Sequence, residues 1–176
     1  FEIISSNDFY SEMYAKLYTN MINIHETFKT IFDEFLDNYI KKFLELKYVS
    51  PTQDYDEYCC YNKELSKIKS FTTFLNHCLN HNLCDCCTII NLVISFQNKI
   101  IEQIDNKDKL SENEALLNNI LILFKANIEI FSFHEKWETL LSNNKTIYTT
   151  QGAGKNNMMR FKIMDMDDLI KKSNSN

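Results

Sequence analysis

Residues 27–46 read TFKTIFDEFLDNYIKKFLEL, and this stretch decides the fold class. Phe28, Ile31, Phe32, Phe35, Leu36, Tyr39, Ile40, Phe43 and Leu44 recur at i, i+3, i+4 and i+7, one face of an α-helix. Lys29, Asp33, Glu34, Asp37, Asn38, Lys41 and Lys42 take the other face, and no Gly or Pro interrupts the run. A helix with so broad an apolar stripe is not stable alone in water, so other elements must cover it.

The same pattern continues on both sides. Toward the N-terminus, residues 1–5 read as the end of a helix, and Ser6, Asn7 and Asp8 offer N-cap chemistry. Phe9, Met13, Leu17 and Met21, with Tyr10, Tyr14 and Ile24 beside them, form the apolar side of a helix predicted to lie antiparallel to 27–46. Toward the C-terminus, Ser50-Pro51 marks a boundary, because Pro disfavours helix at the residue before it. Residues 54–60 read as a short helical piece or a loop. Leu65, Ile68, Phe71, Thr72, Leu75 and Leu79 define a further helix, broken at Asn80-His81-Asn82. Residues 85–104 are apolar over more than half of a helical circumference, which predicts a central helix packed on both sides.

A charged loop is expected at 105–110. Ser111 and Glu114 have the spacing of a capping box that opens a helix running through Phe131. A shorter helix at 134–141 carries Trp137 and Leu140. The polar stretch 142–156 holds both glycines and reads as mobile, and a last helix spans about 157–172.

Composition agrees with helices. The 176 residues carry two Gly and one Pro, far fewer than a sheet protein spends on turns. Hydrophobic residues make up 44% and charged residues 24%, which is ordinary for a folded domain. A net charge of −5 argues against a generally basic nucleic-acid binder, though not against a local basic stripe. No unbroken apolar run reaches the eighteen or so residues of a membrane span, so no membrane contact is expected. No signal peptide is visible; the start at Phe1 points to a fragment of a longer chain. Six irregularly spaced cysteines suit a reducing cytosol better than a disulfide framework. The abundant, scattered Asn reads as compositional bias rather than chemistry. The expected architecture is all-α, an α-solenoid of HEAT-type antiparallel helix pairs, with a compact helical bundle as its rival.

Candidate chemistry is sparse. His77, Cys78, His81, Cys84, Cys86 and Cys87 cluster within eleven residues, but their spacing fits no standard zinc pattern and contains no CxxC pair. Reduced cysteines packed at a helix turn are the simpler reading. Cys86 and Cys87 near a helix start invite thiol chemistry, yet nothing marks His81 as their base. His134-Glu135 lacks the second His of a zinc protease, and Gly152-Ala153-Gly154-Lys155 lacks the spacing of a phosphate loop. Neither a metal nor a cofactor is expected, and no residue is assigned as catalytic. Lys63, Lys67 and Lys69, with Lys171 and Lys172, are candidates for RNA phosphate contact, against the plainer reading of solvated faces.

Two segments are more specific. One is Phe1-Glu-Ile-Ile-Ser-Ser-Asn-Asp-Phe9 followed by Tyr14-Ala15-Lys16-Leu17. The other is Asn157-Met-Met-Arg160-Phe161-Lys-Ile163-Met-Asp165-Met-Asp-Asp168-Leu169. Together they resemble the middle domain of eukaryotic translation initiation factor 4G. There a Phe-rich helix end leads into Phe-x-x-x-x-Tyr-Ala-x-Leu/Met, and the closing helix carries Arg-Phe-x-(Ile/Leu)-x-Asp-x-x-Asp-Leu. Leu65-Ser-Lys-Ile68-Lys69 is similar to a further segment of that family. The chain departs from it at Ser66, Ser70, Asp167 and Ile170.

The resemblance implies a single HEAT-type domain over 1–176, about four helix pairs with the first truncated. It implies a cytoplasmic, non-enzymatic scaffold in translation initiation that binds and activates a DEAD-box RNA helicase of the initiation factor 4A kind and contacts mRNA weakly. The cap-binding protein would be engaged through regions outside this chain. The helicase contact falls on Arg160, Phe161, Asp165 and Asp168, and at the other end on Phe1, Phe9 and Tyr14. Core packing is the plain alternative for Phe161 and Tyr14. The alternative functions are a related scaffold in RNA processing or mRNA decay, and a zinc- or thiol-dependent helical enzyme.

Overall fold

The computed structural model describes residues 8–173; the expectations for Phe1, Ser6 and Asn7 and for the helix end at 1–5 lie outside them. Among the described residues the chain is all-helical, with seven α-helices and no strand: α1 Ser11–Ile24, α2 Thr27–Glu45, α3 Tyr55–Asn80, α4 Cys86–Gln103, α5 Leu110–Ser132, α6 Trp137–Thr149 and α7 Asn157–Ser173. The contacts divide the chain into two compact units, one ending at Asp85 and the other beginning at Cys86.

In the first unit, α2 buries Phe32, Leu36, Tyr39 and Phe43, the centre of the stripe read from the sequence. Phe71 of α3 meets that stripe, with its ring centroid 4.2 Å from Tyr39 and 5.1 Å from Phe35. The buried Tyr39 hydroxyl lies 2.7 Å from the Thr72 hydroxyl, which donates on to the Ile68 carbonyl at 3.0 Å, so no polar group is stranded there.

α3 settles the ambiguity at 54–60. The Asp54 carboxylate accepts the Glu57 N–H at 2.9 Å, an N-cap that starts one continuous 26-residue helix. Its far end closes at the predicted break. Asn82 adopts φ 59°, Leu83 N–H donates to Cys78 C=O at 2.9 Å and Asn82 N–H to Leu79 C=O at 3.1 Å. That is the Schellman arrangement, with Asn in the left-handed position glycine usually holds.

α1 corrects the sequence reading. Its buried residues are Ser11, Ala15 and Tyr18, whereas Phe9 (85%), Met13 (54%), Leu17 (49%) and Ile24 (82%) are exposed. Small side chains at 11 and 15 let α1 come close to α3, so packing selected the small face over the bulky one. The expected N-cap also differs: Asp8–Tyr10 forms a 3₁₀ turn and Tyr10 caps α1 with no side-chain bond.

In the second unit α4 packs against both α5 and α6, as its wide apolar surface requires, and α5 packs against α7. α5 begins at Leu110, so Ser111 lies inside the helix and the expected capping box does not form. Lys109 occupies the N-cap without a side-chain bond, and Glu114 accepts from the Asn156 amide instead. Lys107–Ser132 is long and apolar enough to cross a membrane by length and composition, but half of its most apolar 18-residue window is buried in this fold. Its interspersed Asn113, Asn119 and Asn127 are buried with it, and Asn119 and Asn127 donate to the carbonyls one turn back at 2.8 Å each.

Residues 142–156 depart furthest from expectation. α6 runs on to Thr149 because Leu140, Asn144 and Ile147 continue the buried i, i+4, i+7 pattern. The remaining connection is pinned: Gly154 N–H donates to Ile104 C=O at 2.7 Å, and Asn113 Nδ2 donates to Gly154 C=O at 2.9 Å. The Lys155 ammonium caps the end of α6 through the carbonyls of Ile147, Tyr148 and Thr150. Asn residues therefore carry structural bonds here, where composition alone suggested bias.

Candidate functional site

α7 owes its orientation to a few residues. Asn156 Oδ1 accepts Met159 N–H at 3.0 Å and caps the helix, while Met159, Ile163 and Met166 at i, i+4 and i+7 are buried. α5 is the main element against which α7 packs. The opposite face is left to solvent. Phe161 is 65% exposed, with Met158 and Met164 about half exposed beside it, and Asp165 and Asp168 are exposed one and two turns on. Phe161 is therefore not a core residue.

The charges around it are not equivalent. Arg160 is half-buried to one side, where its guanidinium donates to Gln151 Oε1 at 2.7 Å. Asp168 pairs with Lys171 at 3.4 Å, an exposed contact of small energetic consequence. Burial pushes the neighbouring Asp167 carboxyl up; Lys171 opposes this and Asp168 reinforces it. Desolvation, with the Arg160 charge adding to it, holds the Lys155 ammonium below the usual lysine range. Arg160, Phe161, Asp165 and Asp168 thus share one helix, but only Phe161, Asp165 and Asp168 share its outer stripe.

In the first unit, Phe9 and Tyr10 pack edge to face at 4.9 Å and Tyr10 lies 6.3 Å from Tyr14, so the start of α1 presents three neighbouring aromatic rings. Tyr14 itself is half-buried. Met13 and Leu17, which helical spacing predicts to be packed, extend this surface instead.

Within the first unit the candidate lysines do not gather on one face. Lys63 and Lys67 share a face of α3, while Lys69, two residues beyond Lys67, points roughly 200° around the helix. Lys67 is already paired with Glu64 at 2.6 Å. Lys171 and Lys172 are exposed on the last turn of α7, in the other unit, beside Asp167 and Asp168.

Cys78 is buried and its thiol is pushed far up by desolvation, with Cys84 adding to it, the opposite of what a nucleophile needs. His77, His81, Cys84, Cys86 and Cys87 are half-buried, all six cysteines are free, and among the described residues no three His, Cys, Asp or Glu converge as a metal set would. Compared with known protein families, curated proteins and solved structures, the chain matches none.

Proposed function

We propose that this chain is a HEAT-type helical scaffold that holds a DEAD-box RNA helicase of the initiation factor 4A kind. In this reading it favours the helicase's active arrangement, touches mRNA weakly and serves translation initiation in the cytoplasm without chemistry of its own. The supporting observation is the outer face of α7, where an aromatic ring stands in solvent with carboxylates one and two turns on. Protein interfaces are enriched in aromatic residues, Phe among them, and carry a polar rim. The packing order of the second unit, α4 on α6 and α5 on α7, is in keeping with stacked helix pairs.

A scaffold acts on its partner's equilibrium only through differential affinity, by binding the active arrangement better than the open one. Phe161→Ala is expected to leave the fold intact, since the side chain is exposed, and to weaken helicase binding by ~2 kcal/mol, about 30-fold. The measurement is a titration with purified 4A-like helicase, with ATPase stimulation followed in parallel. Unchanged affinity in the folded variant removes Phe161 from the interface. Binding to a decay-associated DEAD-box helicase in place of the 4A-like one would move the scaffold to RNA processing or mRNA decay.

A further inference from the structure

Within the first unit, α2 and α3 do not close against each other along their whole length. They leave an open groove of about 620 Å³, within the range of built ligand sites. Its floor is apolar, made by Phe35, Tyr39, Leu46, Ile68 and Phe71. Its rim is charged. Lys67 and Glu64 on the α3 wall satisfy each other at 2.6 Å, whereas Lys42 on α2 and Lys47 just past its end have no salt bridge among the described residues and flank Glu45. The groove thus keeps a local excess of positive charge in a unit where carboxylates outnumber lysines.

We infer that this groove is a docking site for an acidic amphipathic helix from a partner protein, laid between α2 and α3. From Phe35 to Glu45 the α2 wall spans about 15 Å, nearly three helical turns, which accommodates anchors at i, i+4 and i+7. Acidic flanks on such a helix would meet Lys42 and Lys47. Nucleic acid fits the floor less well. Stacking a base needs an open ring face, but Phe71 is 1% and Tyr39 7% exposed, and their rings are tilted 52° to each other. Aliphatic or aromatic side chains entering from above require no such face. The inference is independent of the helicase reading and of Phe161.

The test uses the chain with four labelled probes. Three are 14-residue helical peptides with the same Leu i, i+4, i+7 face and Glu, Gln or Lys flanks; the fourth is a ten-nucleotide oligouridine. Fluorescence anisotropy should rank Glu above Gln above Lys, with at least tenfold between the extremes. Amide shifts should map the Glu peptide to Phe35, Leu46 and Ile68. The exposed-site double variant Lys42→Glu/Lys47→Glu should remove or invert the ranking while Phe161→Ala leaves it unchanged. Equal binding of the three peptides, a preference for Lys flanks, shifts mapping elsewhere, no peptide binding, or oligouridine as the ligand of the groove would each overturn the inference.

Discussion

Replacing Gly154 with Ala tests a tightly constrained point of the second unit. A Cβ there would stand 2.6 Å from Asn106 O, 2.8 Å from Ile104 O and 3.0 Å from Gln103 O. All three are backbone oxygens at and beyond the end of α4, so none can rotate away. The connection must move outward, and the bonds it makes must stretch: Gly154 N–H to Ile104 C=O at 2.7 Å and Asn113 Nδ2 to Gly154 C=O at 2.9 Å. Each bond contributes on the order of 1 kcal/mol, and a buried amide left short of its acceptor costs about 1–3 kcal/mol. The expected loss is roughly 2–4 kcal/mol. The sign is informative, because Gly→Ala at an unhindered site stabilises by about 0.4–1 kcal/mol through the unfolded chain. The assay is a urea titration followed by the fluorescence of Trp137, the one tryptophan, which stacks on Phe124 at 5.8 Å and reports on the same unit. Asn113→Ala should also destabilise, and the double variant should cost less than the two singles together, since they share a bond. An unchanged or raised midpoint for Gly154→Ala would refute the argument.

Three further outcomes are expected. Burial pushes the Tyr39 phenol well above the usual tyrosine range, against the opposing bond from Thr72, so its stabilising contribution is complete below about pH 10 and declines as pH rises from there toward the folded value. Tyr39→Phe should cost about 1 kcal/mol at pH 7 and flatten the alkaline loss of stability, measured by denaturation at pH 7 and above pH 10. Lys155→Met removes the ammonium that caps the carbonyls of Ile147, Tyr148 and Thr150, and thermal melts should show a loss of about 1–2 kcal/mol. Asn82→Gly should be neutral or slightly stabilising while Asn82→Ala costs about 1 kcal/mol, because φ 59° suits Gly and Asn but not a β-carbon without a local hydrogen bond.

The candidate surface was partly legible. Phe161, Asp165 and Asp168 could be placed on one helix face from spacing alone, because helical geometry fixes which residues share a stripe. Which stripe faced solvent could not, since Met159, Ile163 and Met166 offer an apolar row as good as Met158, Phe161 and Met164. The same ambiguity reversed the reading of α1, where Phe9, Met13 and Leu17 had the bulk expected of a core and Ser11 and Ala15 had the size that close helix approach needs. The α2–α3 groove had no sequence signal, because its two walls, residues 35–47 and 64–71, come from separate helices.

By itself, the sequence determined that this protein is helical and roughly where its helices lie. Apolar periodicity, the lack of Gly and Pro, and breaks such as Ser50-Pro51 and Asn80-His81-Asn82 are local properties that act on the chain wherever it goes. Only the tertiary structure decided which face of α1 was buried, that residues 142–156 are helix and a pinned connection, and that Asn113, Gly154 and Lys155 work together. Those outcomes depend on backbone oxygens and side chains brought together from distant parts of the chain, whose donors and acceptors must be matched once water is excluded.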